Sequence, residues 1–224
     1  MTEKACPRCG GSGWLRNDLP IDHPDFGKMV RCDCKKKEDA RFLQEISRMT
    51  ERERDVGMED LVERGKGSSS LIESGKEFCK NPKGILTVYG GTGNAKSLLL
   101  QAVVNTILEK GKAAIYTTMF DLMGYIREAY DDDDDTALSR LDRFRTIPVL
   151  AIDEFDKVKT TDWVLSQVTS LVDRRHRDGL GGKSGTLIAM NADIETMPGW
   201  IFSRLTDGRN TLIHNTDSDL RSKL

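Results

Sequence analysis

Two carboxylates close an apolar run in Val149-Leu150-Ala151-Ile152-Asp153-Glu154. A buried strand ending in two charges is costly unless the charges are paired or serve a metal. At the carboxyl end of a strand, Asp153 can hold Mg²⁺ through water, and Glu154 can orient and deprotonate an attacking water. Read alone, the pair is equally two exposed turn residues; what precedes it decides. Lys96 lies 57 residues upstream in Gly90-Gly91-Thr92-Gly93-Asn94-Ala95-Lys96-Ser97, after an apolar run and before LLLQAVVNTILEK. Strand, glycine-rich turn and helix in that order make a phosphate-binding loop, whose backbone N–H groups and helix N-terminus converge on phosphate oxygens. Lys96 is then placed to bridge the β- and γ-phosphates of ATP, and the Ser97 hydroxyl to ligate Mg²⁺. Ala95 departs from the usual pattern, which has glycine before the lysine. At a helix start, alanine is expected to be conformationally allowed, its methyl affecting only close approach to the phosphate. The alternative is a glycine-rich turn without a ligand.

A second set of chemistry-bearing residues lies at the other end. Cys6-Pro-Arg-Cys9 and Cys32-Asp-Cys34 bracket a 22-residue segment containing Gly10-Gly11-Ser12-Gly13-Trp14. Two such pairs can complete a tetrahedral S₄ site for Zn²⁺, although Cys-x-Cys is tighter than the usual knuckle. His23 is a possible substitute ligand, with a plain loop favoured by the adjacent Pro24, and a redox or free-thiol role for the cysteines stays open. Cys79 reads as a small buried hydrophobe.

The remaining text must position these groups. The chain has 224 residues, 38% hydrophobic and 31% charged, with a formal net charge of −2. Such a composition supports a sizeable core and excludes wholesale disorder, a collagen-like chain and a disulfide miniprotein. Near-neutral charge confines any nucleic-acid contact to local patches. No apolar run approaches the roughly 18 residues of a membrane span, and MTEKACPRCG lacks the apolar core of a signal peptide, so a cytoplasmic protein with no membrane partner is expected.

Short apolar runs at Ile85–Tyr89, Ala113–Thr117, Ile147–Ile152, Thr186–Met190 and Thr211–Ile213 alternate with helical patterns at Ser97–Glu109, Met119–Tyr130, Thr136–Arg145 and Thr161–Arg177. That alternation implies an α/β fold with a parallel sheet covered on both faces. The expected organisation is a zinc-binding module over 1–36, a helical linker over 37–70 and an ATPase domain over 71–224. Phe42, Leu43, Ile46 and Met49 at helical spacing suggest that the linker is one amphipathic helix.

From about residue 71 the chain resembles the AAA+ ATPases. More narrowly, it resembles the replicative helicase loaders of the DnaC/DnaI type, with the IstB transposition ATPases as near relatives. The resemblance rests on the ordered pieces GGTGNAKSLLLQAVVN, YTTMFDLMGYIREAY, PVLAIDEFD, LVDRRHRDGLGGKSGTLIAMN, WIFSRLTDGRN and NTDSDLRSKL, and covers about two-thirds of the chain. It implies an αβα sandwich without a full lid domain, the chain running only 20 residues past Arg204. It also implies roles: Asn191 as the polar sensor at the γ-phosphate, Arg204 as an arginine finger acting on a neighbour's nucleotide, and Arg221 as the second sensor. The plainer readings are a turn cap, a surface arginine and a frayed tail. The partners implied are a DnaB-type replicative helicase, single-stranded DNA and further copies of the chain in the ATP state, with the zinc module and Trp14 as a helicase-docking surface. Under this resemblance the helix Met119–Tyr130 faces DNA. Arg127 and the Arg140/Arg143/Arg145 group would neutralise phosphates, and Tyr125 or Tyr130 would stack on bases; a solvated face with core tyrosines fits equally. The Asp131–Asp135 run reads as a solvated loop. Two other functions stay open: an IstB-like regulator that binds DNA and recruits a transposase, and a zinc-ribbon adaptor whose nucleotide site is a non-hydrolysing switch.

Overall fold

The computed structural model describes residues 6–32, 34, 46–47, 49–64, 69–131 and 136–219. The chain divides into two compact units, Met1–Glu45 and Ile46–Leu224.

The first unit is built on two antiparallel three-residue strands, β1 (Trp14–Arg16) and β2 (Met29–Arg31), with Trp14 opposite Arg31 and Arg16 opposite Met29. The pairing continues past β2, where Cys32 N donates to Gly13 O at 2.9 Å and so returns the second cysteine pair to the first. Among the described residues of this unit Cys32 is the only fully buried hydrophobic side chain, while Trp14, Ile21, Phe26, Met29 and Val30 are exposed. A hairpin this small is marginal in water without another source of order.

The second unit carries α1 (Glu51–Arg54), α2 (Met58–Arg64), α3 (Ser69–Lys80), β3 (Gly84–Tyr89), α4 (Lys96–Glu109), β4 (Ala114–Thr118) and α5 (Met119–Glu128). These are followed by α6 (Ala137–Thr146), β5 (Val149–Asp153), α7 (Asp162–Leu180), β6 (Gly185–Met190), α8 (Gly199–Leu205) and β7 (Thr211–His214). The five strands pair in parallel in the order β4-β5-β6-β3-β7. The central strands are buried on both faces, which is why they read as continuous apolar runs rather than alternating ones. On one face, Leu86, Val88, Val149, Ala151, Leu187 and Ala189 pack against Leu99, Leu100, Val103, Val104 and Ile107 of α4. Because α4 lies between the sheet and α2 and α3, it is apolar nearly all round. Threonine side chains cap α1, α5, α6 and α7 at their N-termini, each accepting a backbone N–H from the first turn.

The single connecting helix expected before the sheet is not what forms. Phe42, Leu43 and the rest of 35–45 lie outside the described residues, but α1 and α2 are separate, broken at Asp55–Gly57. Thr50 and Glu53 form a reciprocal capping box that starts α1 afresh, and the Asp60 carboxylate accepts from Gly57 N at 2.9 Å ahead of α2. Asn105 of α4 donates to Glu53 O and Val56 O, both at 2.8 Å, satisfying carbonyls where α1 ends. Met49 and Leu61 join the core beside α4, so residues expected in a linker belong to the sheet-bearing unit, which begins at Ile46. No helix among the described residues is long and apolar enough to cross a membrane.

Candidate nucleotide and metal sites

Parallel strands end at one edge of the sheet, and there the fold gathers the sequence-predicted groups. Inserting β6 between β5 and β3 places the end of β6 between the glycine-rich loop that follows β3 and the carboxylates that close β5. Asn191 directly follows β6. Gly90–Ser97, Asp153, Glu154 and Asn191 thus share the carboxyl edge, the usual ligand position in an open α/β sheet.

Gly90 and Gly93 take φ of 134° and 72°, and their neighbours leave no room for a side chain. A Cβ on Gly90 would overlap the Asn215 carbonyl, and one on Gly93 the Asp219 carboxylate. Ala95 corrects the expectation of an unstrained helix start: its φ is 68°, in the left-handed region that favours glycine. The reason is the loop's tight turn into α4, where the usual glycine serves the backbone as well as the phosphate. Asn94 is buried and tied to Asn215 both ways, its Nδ2 donating to Asn215 O at 3.0 Å and its O accepting from Asn215 Nδ2 at 2.7 Å. Lys96 is also buried, and Nζ donates to Gly90 O and Asn94 Oδ1, each at 2.9 Å, and to Gly91 O. Glycines at positive φ, a lysine coiled inside the loop and the start of α4 fit a phosphate cradle. Ser97, half-buried in the first turn of α4, and Asp153 are the oxygen ligands that could hold Mg²⁺ there.

The Asp153 carboxylate is buried and fixed at both oxygens. Oδ2 accepts from the Tyr116 hydroxyl at 2.8 Å and Oδ1 from the Glu154 N–H at 2.8 Å. Burial, and after it the Asp153 charge, push the Tyr116 phenol well above its ordinary value, so it stays protonated as a donor. Glu154 has φ of 50°, a second strained position, and its half-exposed carboxylate pairs with Lys157 at 2.5 Å. That hydrogen bond to Glu154 raises the Lys157 ammonium above its usual range. Asn191 is anchored through its backbone: its N–H lies 3.2 and 3.3 Å from Oδ1 and Oδ2 of Asp156, and Oδ2 also accepts from Ala192 N at 2.9 Å.

Other predicted residues stand apart from this edge. Arg204 pairs with Asp173 of α7 and donates to Trp200 O at 2.7 Å. Its carbonyl accepts from Asn210, whose Oδ1 accepts from Ile85 N at the opposite end of β3 from the glycine-rich loop. Arg221 lies outside the described residues, as does most of the Asp131–Asp135 run. The Arg140/Arg143/Arg145 group does not present itself to phosphates. Arg140 is buried, donates to Tyr125 O at 2.8 Å and lies over the Tyr125 ring at 4.7 Å. Arg143 donates to Tyr125 OH, and Arg145 binds Asp142 and Ser170. These contacts, with Tyr125 edge-on to Phe144, tie α5, α6 and α7 together and take Tyr125 out of any stacking role. Tyr130 remains exposed; its hydroxyl accepts from Trp163 Nε1 at 3.1 Å, and Arg127 lies over the Trp163 ring at 5.3 Å. A cleft of about 350 Å³ between α6 and α7, lined by Asp142, Arg145, Thr146, Ser170, Arg174 and Arg177, carries none of the residues of the carboxyl edge.

In the first unit the Sγ atoms of Cys6, Cys9, Cys32 and Cys34 all lie within 4.8 Å of one another. The Cys6–Cys32 and Cys9–Cys34 separations of 3.9 and 3.4 Å bracket the roughly 3.8 Å edge of a tetrahedron with zinc–sulfur bonds of about 2.3 Å. Burial pushes the Cys9 thiol up, but the Gly13 N–H, the Cys34 thiol and the Gly11 N–H outweigh it and draw it down to about 6. The Cys9 and Arg8 N–H groups lower Cys6, whereas Cys9 and Cys32 push Cys34 up to about 12. Thiols competing this closely for protons suit a shared cation. His23 is exposed and accepts from Asp25 N at 3.1 Å, outside the cluster. Cys79 is buried, and burial raises its thiol.

Asn215, Tyr116 and Asp156 were not marked by sequence reasoning. The first two act across 121 and 37 residues of separation, with no local motif to mark them. Asp156 follows Asp153-Glu154-Phe155 and was the readable one, as a further carboxylate beside the pair.

The sequence matches no family model and no curated protein. Solved structures do match the fold. A structure of the replication initiator DnaA bound to AMPPCP and single-stranded DNA aligns with TM-score 0.62 and 18% identity, over 73% of this chain but only 50% of that one. The chain therefore spans half the length of that initiator. The DnaC helicase loader aligns with TM-score 0.62 and 18% identity, over 75% of this chain and 100% of that one. DnaI aligns with TM-score 0.56 and 18% identity, over 75% and 95%. The sheet unit shares its α/β fold with these replication-initiator and helicase-loader structures.

Proposed function

We propose that the chain is an Mg²⁺-dependent ATPase of DNA replication that loads a DnaB-type ring helicase onto single-stranded DNA, with zinc in its N-terminal unit. The observation that carries this reading is the convergence of the Lys96 loop, Asp153, Glu154 and Asn191 on one sheet edge through the insertion of β6. Bound ATP would supply the phosphoanhydride to be cleaved, and Mg²⁺ the charge that neutralises its oxygens. The protein's part is positional. The loop backbone and Lys96 cradle the phosphates, Ser97 and Asp153 hold the metal, and Asn191 orients. Glu154, released from Lys157, takes the proton of the attacking water. Arg204, on the far side of its own loop and half-exposed, suits action on a neighbour's nucleotide once it leaves Asp173. Arg221 is the second sensor. The exposed Tyr130, set with Arg127 against the half-buried Trp163, supports a base-stacking contact to DNA, and the exposed Trp14, Met29 and Val30 support helicase docking by the zinc unit.

Paired variants test the chemistry. Lys96→Ala should lose ATP binding, whereas Glu154→Gln should retain binding and lose turnover; wild-type turnover by Glu154→Gln would overturn the base assignment. Copurification with a replicative helicase rather than a transposase separates the loader from the IstB-like reading. The strained Ala95 favours a second reading, a nucleotide switch with negligible turnover, in which the wild type binds ATP tightly and hydrolyses it no faster than Glu154→Gln does.

A further inference from the structure

The Asp153 carboxylate stands at the end of a relay of side chains that none of the proposed roles above uses. Glu53, on α1, accepts at Oε2 from Thr50 and at Oε1 from Gln101 Nε2, the latter at 3.1 Å. Gln101, on α4, directs the same Nε2 to the Tyr116 oxygen at 3.4 Å, and the Tyr116 hydroxyl meets Asp153 Oδ2 at 2.8 Å. Gln101 and Tyr116 are buried, 7% and 5% exposed. An amide NH₂ only donates, so Gln101 occupies a lone pair of the phenol oxygen and leaves the phenol proton to point at Asp153. The opposite oxygen of Asp153 takes the Glu154 N–H, the backbone of a residue held at φ 50°. One hydroxyl thereby fixes a carboxylate, and the carboxylate fixes the next residue's strained backbone.

We infer that Tyr116 is a positioning residue for the Asp153–Glu154 pair, with Gln101 setting the direction of its proton. The inference rests on the proposed ATPase reading for its kinetic consequence but not for its structural one. Tyr116 acts through Asp153: it holds one carboxylate oxygen, and the remaining lone pairs are those with which Asp153 would hold Mg²⁺. Groups of this kind, one bond removed from a metal ligand, commonly change metal affinity or activity ~10–100-fold when lost.

The test uses the full chain with Tyr116→Phe, which keeps the ring and its packing, and Gln101→Met, which keeps the hydroxyl but frees its proton. The first readout is amide hydrogen exchange at Glu154 in nucleotide-free, Mg²⁺-free protein; exchange should be ~10-fold faster in Tyr116→Phe and less perturbed in Gln101→Met. The second is the Mg²⁺ dependence of ATP turnover. The half-saturating Mg²⁺ concentration should rise and kcat fall ~10-fold, while nucleotide affinity in EDTA stays within about twofold of wild type. A purely structural role would instead lower the melting temperature and weaken metal-free nucleotide binding along with turnover, and that result overturns the inference. Unchanged Glu154 exchange with an unchanged Mg²⁺ requirement overturns it too. Should the wild type itself fail to hydrolyse ATP, the ATPase reading falls, and the exchange experiment still decides for or against Tyr116.

Discussion

In the N-terminal unit, Cys32 is the one fully buried hydrophobic side chain among the described residues, and its two strands have three residues each. In the sheet unit, α4 alone buries Leu99, Leu100, Val103, Val104 and Ile107 against a five-stranded sheet. Among its described residues the first unit draws little order from apolar burial, and its four converging thiols offer a shared cation as the alternative source. The second has burial to spare and carries strain with it: Ala95 and Glu154 at positive φ, and Arg175, 1% exposed, as a cation in the core. The contrast locates the weak point of each unit: a ligand set in the first, local backbone and polar geometry in the second.

The largest way to break this comparison is to remove the metal. Zinc bound to such cysteine sets contributes about 10–16 kcal/mol in small peptides. Cys9→Ser, or chelation, should therefore unfold the N-terminal unit and leave the sheet unit's melting transition in place. Metal analysis should find one zinc per chain in the wild type. A metal-free wild type with an ordered N-terminal unit would mean that its few apolar contacts suffice.

Arg175 is the matching test for the sheet unit. Its guanidinium donates to Thr186 Oγ1 at 2.9 Å, Phe144 O at 3.3 Å and Arg145 O at 3.4 Å, and to Ile147 O and Gly185 O. Phe144 and Arg145 lie in the last turn of α6, whose unpaired carbonyls and negative dipole end suit a cation. Burial lowers its pKa to about 10, which still leaves it charged at neutral pH. Arg175→Met would orphan several buried acceptors and should cost about 3 kcal/mol or more, read by denaturant melting of the sheet unit. Arg175→Lys should fall between, because one ammonium cannot span α6 and β6 together. A neutral Arg175→Met would show that the core closes over those carbonyls without help.

How far the sequence announced these features follows from the range of the interactions. The strand-loop-helix around Lys96 and the strand before Asp153 were readable because each is a local pattern of apolar run, glycine turn and charge. Cys6, Cys9, Cys32 and Cys34 were readable because their spacing is their chemistry. The break between α1 and α2 has only a short local mark, the Thr50 and Glu53 capping box, beside the longer helical spacing of Ile46 and Met49 that implies continuity. Tyr116, Asn215 and the packing role of Arg140 were beyond reach: each depends on which strands and helices become neighbours, and the periodicity of a strand does not give its place in the sheet. The backbone of Ala95 departs from the expected helix start because residue type and position tell what is tolerated there, not the angle the loop imposes.

Asn215 sharpens the second half of the comparison. Its side chain donates to Asn94 O at 2.7 Å, and its carbonyl accepts from Asn94 Nδ2 at 3.0 Å, inside the loop that holds Lys96. Asn215→Ala leaves the Asn94 carbonyl without that donor and should cost about 1.5 kcal/mol, appearing as roughly tenfold weaker nucleotide binding if the lost energy is loop preorganisation. A stability loss of that size with unchanged nucleotide affinity would assign Asn215 to the fold alone.

The smallest expected effect is at Ala95, and its sign is the informative part. A left-handed backbone costs an ordinary L-residue roughly 1–2 kcal/mol, and glycine escapes that cost. Glycine also loses about 0.4–1 kcal/mol more than alanine through the greater freedom of its unfolded chain. The difference favours Ala95→Gly by about 0.5 kcal/mol, equivalent to a rise of roughly 1–2 °C in the melting temperature of a domain this size. Removing the methyl also clears the approach to the phosphates, so nucleotide affinity should rise or hold. Ala95→Val makes the opposite probe, since a β-branched side chain is poorly tolerated at positive φ and should destabilise the loop measurably. Calorimetry on the three proteins, with and without nucleotide, gives the order Gly above Ala above Val if the loop's backbone is strained as its angles indicate. Glycine melting below alanine would mean that the turn into α4 relaxes around the methyl, leaving Glu154 as the one strained non-glycine position among the described residues of the sheet unit.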